Sequence, residues 1–74
     1  MKLGKYHHHK GNEYEVIGIA RDSETLEEVV VYKALYNSND FGNNTLWVRK
    51  KDNFLSKVTV NGKNVSRFKY IKEK

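Results

Sequence analysis

Three consecutive histidines near the start of the chain are its first candidates for metal binding. His7, His8 and His9 lie between Tyr6 and Lys10 in a polar, aromatic-rich stretch. If this stretch is a strand, His7 and His9 share one face and His8 points to the other. A stable zinc site needs three or four protein ligands, and a third would have to come from a distant acidic residue. We therefore expect strand histidines, with no metal ion and no cofactor.

The residue types of a catalytic triad are present, but the motifs that position them are not. Ser23 is close to Glu24, Glu27 and Glu28, with histidines elsewhere in the chain. The sequence contains no nucleophile elbow, Gly-rich phosphate loop or dinucleotide-binding motif. An active site would need His8 beside Glu24 or Glu27 in a pocket, whereas acids in a polar turn are usually solvated. We expect a protein that is not an enzyme.

Basic and aromatic residues occur together in a pattern that favours nucleic-acid binding. Proteins that bind single strands combine a cationic track with rings on which bases stack. Both kinds of group are supplied by Tyr6, His8, Lys10, Trp47, Arg49, Lys50, Lys51, Arg67 and Lys69. We expect electrostatic capture of an anionic ligand by Lys10, Arg49, Lys51 and Arg67. Nucleic acid is the favoured ligand. Tyr6 and Trp47 are the expected stacking residues.

Two alternatives compete with this interpretation. Trp47 is the largest apolar side chain in a small domain, so the core could require it. A protein- or peptide-binding module is the other functional class, because small barrels often present an aromatic groove or an edge strand to an extended segment. The aromatic residues available for such a groove are Tyr32, Tyr36, Phe41 and Trp47.

Charge is distributed unevenly along the chain. The net charge is +5, yet residues 13–28 contain six acids and one arginine, whereas residues 49–74 contain nine lysines or arginines and two acids. This asymmetry is consistent with an anionic partner. Acidic strands that pair with basic neighbours inside one sheet would also produce it, and we favour this interpretation.

Length and composition bound the class of protein. The chain has 74 residues and no cysteine, so no disulfide compensates for a small core. No apolar run approaches the roughly 20 residues that span a bilayer. The N-terminal residues lack the apolar core of a secretion signal. We predict one cytoplasmic domain over residues 1–74 that does not enter a membrane, with residues 72–74 frayed.

Short strands must position the candidate residues. Gly11-Asn12 predicts a turn, and Gly18 predicts a bend or bulge within the strand that follows it. Residues 27–36 form the longest predicted strand, which we place at the centre of the sheet, and residues 45–49 form the next strand. Phe54 and Leu55 are expected to point inward from a 3₁₀ turn near residues 51–55.

The last part of the chain carries the strongest local signal. Asn61-Gly62 stands between two alternating runs and predicts a hairpin, because both turn residues need positive φ. Turns recur every 8–12 residues or so along the chain, which is typical of a small barrel or sandwich. We predict an all-β fold: a small, SH3-like, partly open barrel of five or six short antiparallel strands.

A series of ordered blocks resembles a short bacterial family, the domain-of-unknown-function 1653 family. The blocks are Tyr6-x-His8-x-Lys10-Gly11-Asn12-x-Tyr14 through Ala20, Ser23 through Glu28, Val30-Val31-Tyr32-x-Ala34-Leu35-Tyr36, Leu46 through Arg49, Phe54-Leu55 and Arg67-Phe68-x-Tyr70-Ile71. The family is uncharacterised, so the resemblance implies no activity. It implies that a shared binding site would involve Tyr6, His8, Lys10, Glu24, Glu27, Trp47 and Arg49, to which the charge pattern adds Arg67.

Overall fold

Short antiparallel strands make up most of the chain. The computed structural model describes residues 1–73. Its strands are β1 (Gly4–His8), β2 (Glu13–Arg21), β3 (Glu28–Ala34), β4 (Asn37–Ser38), β5 (Gly42–Asn43), β6 (Leu46–Lys50), β7 (Lys57–Val60), β8 (Lys63–Ser66) and β9 (Phe68–Lys72). A single helical turn, α1 (Lys51–Phe54), follows β6. The predicted all-β class is confirmed.

Five of these strands form the sheet that carries the candidate site. Their spatial order is β6-β3-β2-β1-β9, and every neighbouring pair is antiparallel. The prediction that residues 27–36 form the longest and most central strand is wrong, because β2 is longer and occupies the middle of the sheet. β3 instead connects β2 to the edge strand β6, which brings Trp47 opposite Tyr32.

The described residues do not form a closed barrel. β6 and β9 are the two edges of the five-stranded sheet, and within residues 1–73 they do not pair with each other. The SH3-like barrel is therefore not confirmed. Lys72 belongs to β9, contrary to the predicted fraying, whereas Lys74 lies outside the described residues. No helix within residues 1–73 is long and apolar enough to cross a bilayer.

Local turn chemistry behaves as the sequence predicts. Asn61 and Gly62 have φ values of 52° and 78° and join β7 to β8. β1 and β2 are joined by a turn in which the Gly11 N–H donates to the His8 carbonyl at 2.8 Å. At Gly18 the pairing of β2 with β3 shifts register, which confirms the predicted bulge. Beyond this bulge Ile19 lies opposite the buried Val30. Odd-numbered residues of β2 therefore share the face that even-numbered residues such as Val16 occupy before the bulge.

The core is built mainly from rings on one face of the sheet. Its buried members are Tyr6, Val16, Val30, Tyr32, Phe54 and Phe68. Phe54 stacks on Phe68 with ring centroids 4.0 Å apart and planes 4° apart. Most other ring pairs in the core meet edge to face, the arrangement that the aromatic quadrupole favours.

Phe54 reaches the core from a helical turn and not from the predicted 3₁₀ turn. The Leu55 N–H donates to the Lys51 carbonyl at 3.0 Å, four residues back, as in an α-helix. Phe54 is 1% exposed, but Leu55 is 53% exposed, so the prediction that both point inward is wrong for Leu55. One helical turn can direct only part of its surface toward a sheet, and α1 uses that part for Phe54.

Replacing Phe54 tests the importance of this aromatic stack. We expect Phe54→Ala to lower the free energy of unfolding by about 3–5 kcal/mol, because it removes a buried ring and leaves a cavity. The matched control is Leu55→Ala, which removes an exposed side chain and should cost about 0.5 kcal/mol or less. Urea unfolding followed by Trp47 fluorescence measures both. Equal losses in the two variants would contradict the assignment of Phe54 to the core.

Candidate functional site: a cationic face beside a tyrosine pocket

Four acidic residues of the chain are neutralised by lysines on neighbouring strands or at the start of α1. The ion pairs are Glu13–Lys5 at 3.3 Å, Glu15–Lys33 at 3.6 Å, Glu27–Lys50 at 3.5 Å and Glu28–Lys51 at 3.7 Å. These contacts confirm the internal-pairing interpretation of the charge pattern. They also separate Lys51 from the predicted capture residues, because its ammonium group already faces a carboxylate.

Arg49 is fixed by two hydrogen bonds and a ring. Its Nε donates to the Tyr32 hydroxyl at 3.2 Å, and its Nη1 donates to Asn53 Oδ1 at 2.7 Å. The guanidinium carbon lies 5.3 Å from the centroid of the Phe68 ring, within the range of a cation–π contact. None of these partners is anionic, so Arg49 is held in place while its charge stays uncompensated by any ion pair within residues 1–73.

His8 lies beside Arg49 on the same side of the sheet. Its ring meets Phe68 edge to face at 4.7 Å, and its Nδ1 accepts the Lys10 N–H at 3.1 Å. Burial, followed by the charges of His9, Arg49, Lys10 and Arg67, lowers the pKa of His8 to about 4. The imidazole is therefore neutral at pH 7. The same charges show that cations converge on His8.

Arg67 joins this group from the position between β8 and β9. Its Nε donates to Ser56 Oγ at 3.0 Å, and its backbone N–H donates to the Ser56 carbonyl at 3.0 Å. Its own carbonyl accepts the His9 N–H at 3.0 Å, which ties this position to β1. We call His8, Lys10, Arg49 and Arg67 the cationic face.

A small concavity adjoins the cationic face and shares Arg49 with it. This tyrosine pocket has a volume of about 210 Å³ and is lined by Tyr14, Tyr32, Tyr36, Trp47 and Arg49. The Tyr14 and Tyr36 hydroxyls are hydrogen-bonded at 2.9 Å. Burial, followed by this hydrogen bond, raises the pKa of Tyr14. Tyr14 is therefore a protonated phenol at neutral pH.

Trp47 forms the exposed wall of the tyrosine pocket. It is 36% exposed and meets the exposed Phe41 edge to face at 5.4 Å. The alternative prediction that Trp47 belongs to the core is wrong, because Trp47 is not among the buried core residues. Of the residues suggested for an aromatic groove, Tyr32 is buried, Tyr36 is half-buried, and Phe41 and Trp47 are exposed.

The structure brings together some of the predicted site residues and separates others. His8, Lys10, Arg49 and Arg67 converge, and Trp47 is adjacent through the pocket wall. Tyr6 is 5% exposed, lies in the core and donates its hydroxyl to the Lys2 carbonyl at 2.6 Å, so its predicted stacking role is wrong. Both predicted acids belong to the β2–β3 connection, where Glu27 pairs with Lys50 and Glu24 stands in an exposed turn.

Sequence reasoning missed two contributors to the site. From the sequence, Tyr14 and Phe68 stand only within the family blocks, and neither has a predicted role. Register explains both, since Tyr14 lies opposite Tyr6 and Phe68 lies opposite His8. The alternation of β1 places Tyr6 and His8 on one face, and that pattern alone could have indicated that their strand partners belong to the same face.

A second concavity lies on the other side of β1. It has a volume of about 660 Å³ and is lined by His7, His9, Val60, Asn61, Lys63, Val65, Ser66 and Lys69. His7 lies directly opposite Lys69 in the β1–β9 ladder, so both side chains leave the sheet on the face away from His8. His7 and His8 thus lie on opposite faces, as strand alternation predicts, whereas His9 follows the end of β1 and its ring lies 4.4 Å from that of His8.

Comparison with known proteins agrees with this geometry at the level of the fold. A model of the family described as protein of unknown function (DUF1653) matches residues 4–70. The chain belongs to this family. It is also similar to the crystal structure of a family member from Bordetella bronchiseptica, with 32% sequence identity, coverage of 99% of this chain and 90% of that chain, and a TM-score of 0.88. No curated protein matches the sequence.

The depressed pKa of His8 predicts a pH dependence of folding. A pKa of about 4 in the folded chain, against an ordinary 6.5, means that the fold favours neutral His8. Its contribution to stability is complete above about pH 6.5 and is lost as the pH falls from there toward 4. Since the ring is partly exposed, we expect a loss of about 1–2 kcal/mol by pH 4.5, less than full linkage would give.

Two variants isolate this contribution. His8→Asn retains an acceptor near the Lys10 N–H but cannot become a cation, so its stability should fall less than that of the wild type between pH 6.5 and 4.5. His7→Asn is the matched control on the opposite face and should retain the wild-type dependence. Urea unfolding across this pH range measures the slopes. Identical slopes for the wild type and His8→Asn would show that His8 does not contribute.

Proposed function

We propose that this family member binds single-stranded nucleic acid through the cationic face and the rings beside it. The observation that carries the proposal is the convergence of Lys10, Arg49 and Arg67 around a neutral histidine, with no ion pair to any of the three within residues 1–73. Gathering like charges is unfavourable unless an anion offsets it. The binding of an anion is therefore the function that this arrangement supports best.

The orientation of the two arginines supports a phosphate ligand. Arg49 and Arg67 each donate from Nε to a neutral hydroxyl, which fixes the side chain without neutralising it. The guanidinium group still has N–H donors in the fork geometry that suits phosphate oxygens. Lys10 adds an exposed charge at the turn after β1.

Aromatic groups beside the cations favour a nucleic acid over a simple anion. Arg49 belongs to both the cationic face and the tyrosine pocket, and Trp47 and Phe41 are exposed next to that pocket. A ligand with an anionic backbone and flat rings can contact both surfaces at once. Base stacking on such rings contributes about 1–3 kcal/mol per base. The proposal includes a cytoplasmic location, and it includes no catalytic step.

Salt dependence of oligonucleotide binding tests the proposal. Oligothymidylate should quench the fluorescence of Trp47, and affinity should fall with salt with a logarithmic slope of about −2 for three phosphate contacts. Arg49→Gln and Arg67→Gln should each weaken binding and reduce the slope by about 0.7. Lys57→Gln removes an exposed charge from β7 and serves as the matched control, with wild-type affinity expected.

Two outcomes would overturn nucleic-acid binding. The first is an absence of quenching and of amide shift changes at low salt. The second is equal weakening by Arg49→Gln and Lys57→Gln, which would indicate unspecific attraction to a basic protein and no defined cationic face.

Peptide binding is the second candidate, and it rests on a different surface. β6 is an edge of the sheet, and it exposes Leu46 and Val48 on the face opposite Trp47 and Arg49. An extended peptide could add to this edge through backbone hydrogen bonds. Amide shift changes on titration separate the two functions: a peptide should perturb the β6 backbone, whereas an oligonucleotide should perturb the arginine side-chain N–H signals.

A further inference from the structure

The tyrosine pocket has room for one flat ring system. Its volume of about 210 Å³ lies below the roughly 300–1,000 Å³ typical of sites for drug-sized ligands. Its walls are three phenol rings and the indole of Trp47. A duplex cannot enter such a space, but a single base from an unpaired strand can, with its faces against aromatic carbon.

The polar atoms that line the pocket act chiefly as hydrogen-bond donors. The Tyr32 oxygen already accepts a bond from Arg49 Nε, so its own O–H can donate to a ligand. The Tyr14 hydroxyl bonds to the Asn12 side chain as well as to Tyr36, and its bond to Tyr36 raises its pKa, as expected for a donor. Tyr36 is then the acceptor, and its hydroxyl hydrogen can donate to a ligand. Arg49 has N–H donors and no acceptor.

A lining of donors selects a ligand edge made of acceptors. Guanine presents N7 and O6 side by side, and a bidentate contact from arginine to these two atoms is the commonest specific contact to a base. Adenine presents N7 beside an N6 amino group, which would face the pocket with a donor. Cytosine presents an amino donor as well, and thymine presents one carbonyl beside a methyl group.

We propose that the tyrosine pocket takes one base of the bound strand and selects guanine over adenine. This inference rests on the proposed function, because phosphates on the cationic face must deliver the strand to the pocket. Arg49 provides the link, since it is the residue that the two surfaces share. The pocket then supplies specificity, while Lys10 and Arg67 supply affinity that does not depend on sequence.

The test compares oligothymidylates that differ in one internal base. A strand with one guanine should bind at least about fivefold more tightly than the same strand with one adenine, since a bidentate pair discriminates by about 5- to 150-fold. Replacing that guanine by 7-deazaguanine removes the N7 acceptor without changing the protein. We expect this replacement to abolish most of the preference.

Protein variants locate the preference in the pocket. Tyr36→Phe removes a hydroxyl and should bring the guanine-to-adenine ratio toward one without changing the salt slope. Tyr70→Phe removes a hydroxyl from a ring outside the pocket and should retain the wild-type ratio. The amide spectrum of each variant reports whether it folds. If Tyr36→Phe does not fold, the 7-deazaguanine comparison still tests the inference, because it uses the wild-type protein.

The possible failures are distinguishable. Equal, salt-dependent affinity for the guanine and adenine strands would overturn base selection and leave nucleic-acid binding intact. A preference for guanine that survives both 7-deazaguanine and Tyr36→Phe would overturn the assignment to this pocket. An absence of binding by every strand at low salt would overturn the inference together with the proposed function.

Discussion

The contacts around the ring of Phe68 join the core of this domain to its candidate site. Phe54 stacks on this ring at 4.0 Å, His8 meets it edge to face at 4.7 Å, and the Arg49 guanidinium lies 5.3 Å from its centroid. Phe68 comes from β9, and its three partners come from α1, β1 and β6. One aromatic side chain therefore holds together elements from both ends of the chain, and loss of its packing would displace His8 and Arg49 together.

The electrostatic character of the site follows from which charges the sheet pairs. Glu27 and Glu28 face Lys50 and Lys51. The acidic stretch of residues 13–28 therefore neutralises part of the basic stretch of residues 49–74 that lies beside it in the fold. Exposed ion pairs of this kind contribute about 0–1 kcal/mol each. Their larger effect is on location, because they neutralise Lys50 and Lys51 and leave Arg49 and Arg67, beside His8, among the cations without an ion pair in residues 1–73. Fold-level similarity to a family of unknown function supplies no ligand, so the proposed function depends on this local arrangement.

Much of the fold could be predicted because its determinants are local. Asn61-Gly62 adopts positive φ in the β7–β8 hairpin, and the register shift in β2 falls next to Gly18, where the sequence pattern predicts it. The candidate site was predicted in part, since strand alternation places Trp47 and Arg49 on one face. The central strand was not predicted, because sequence periodicity gives the strand but not its neighbours. Leu55 was misassigned because one helical turn can bury only the side chain that faces the sheet.

Composition and short-range pattern alone determined that this chain is a basic, all-β protein with a hairpin at Asn61-Gly62, a bulge at Gly18 and cations near both ends. Tertiary structure decided which of those residues can meet a ligand. Tyr6 and Trp47 looked equivalent as aromatic residues beside basic ones, yet Tyr70 and Phe54 cover Tyr6, whereas Trp47 lies on the edge strand. Burial depends on contacts between residues far apart in the chain, and the local spacing of residue types does not specify those contacts.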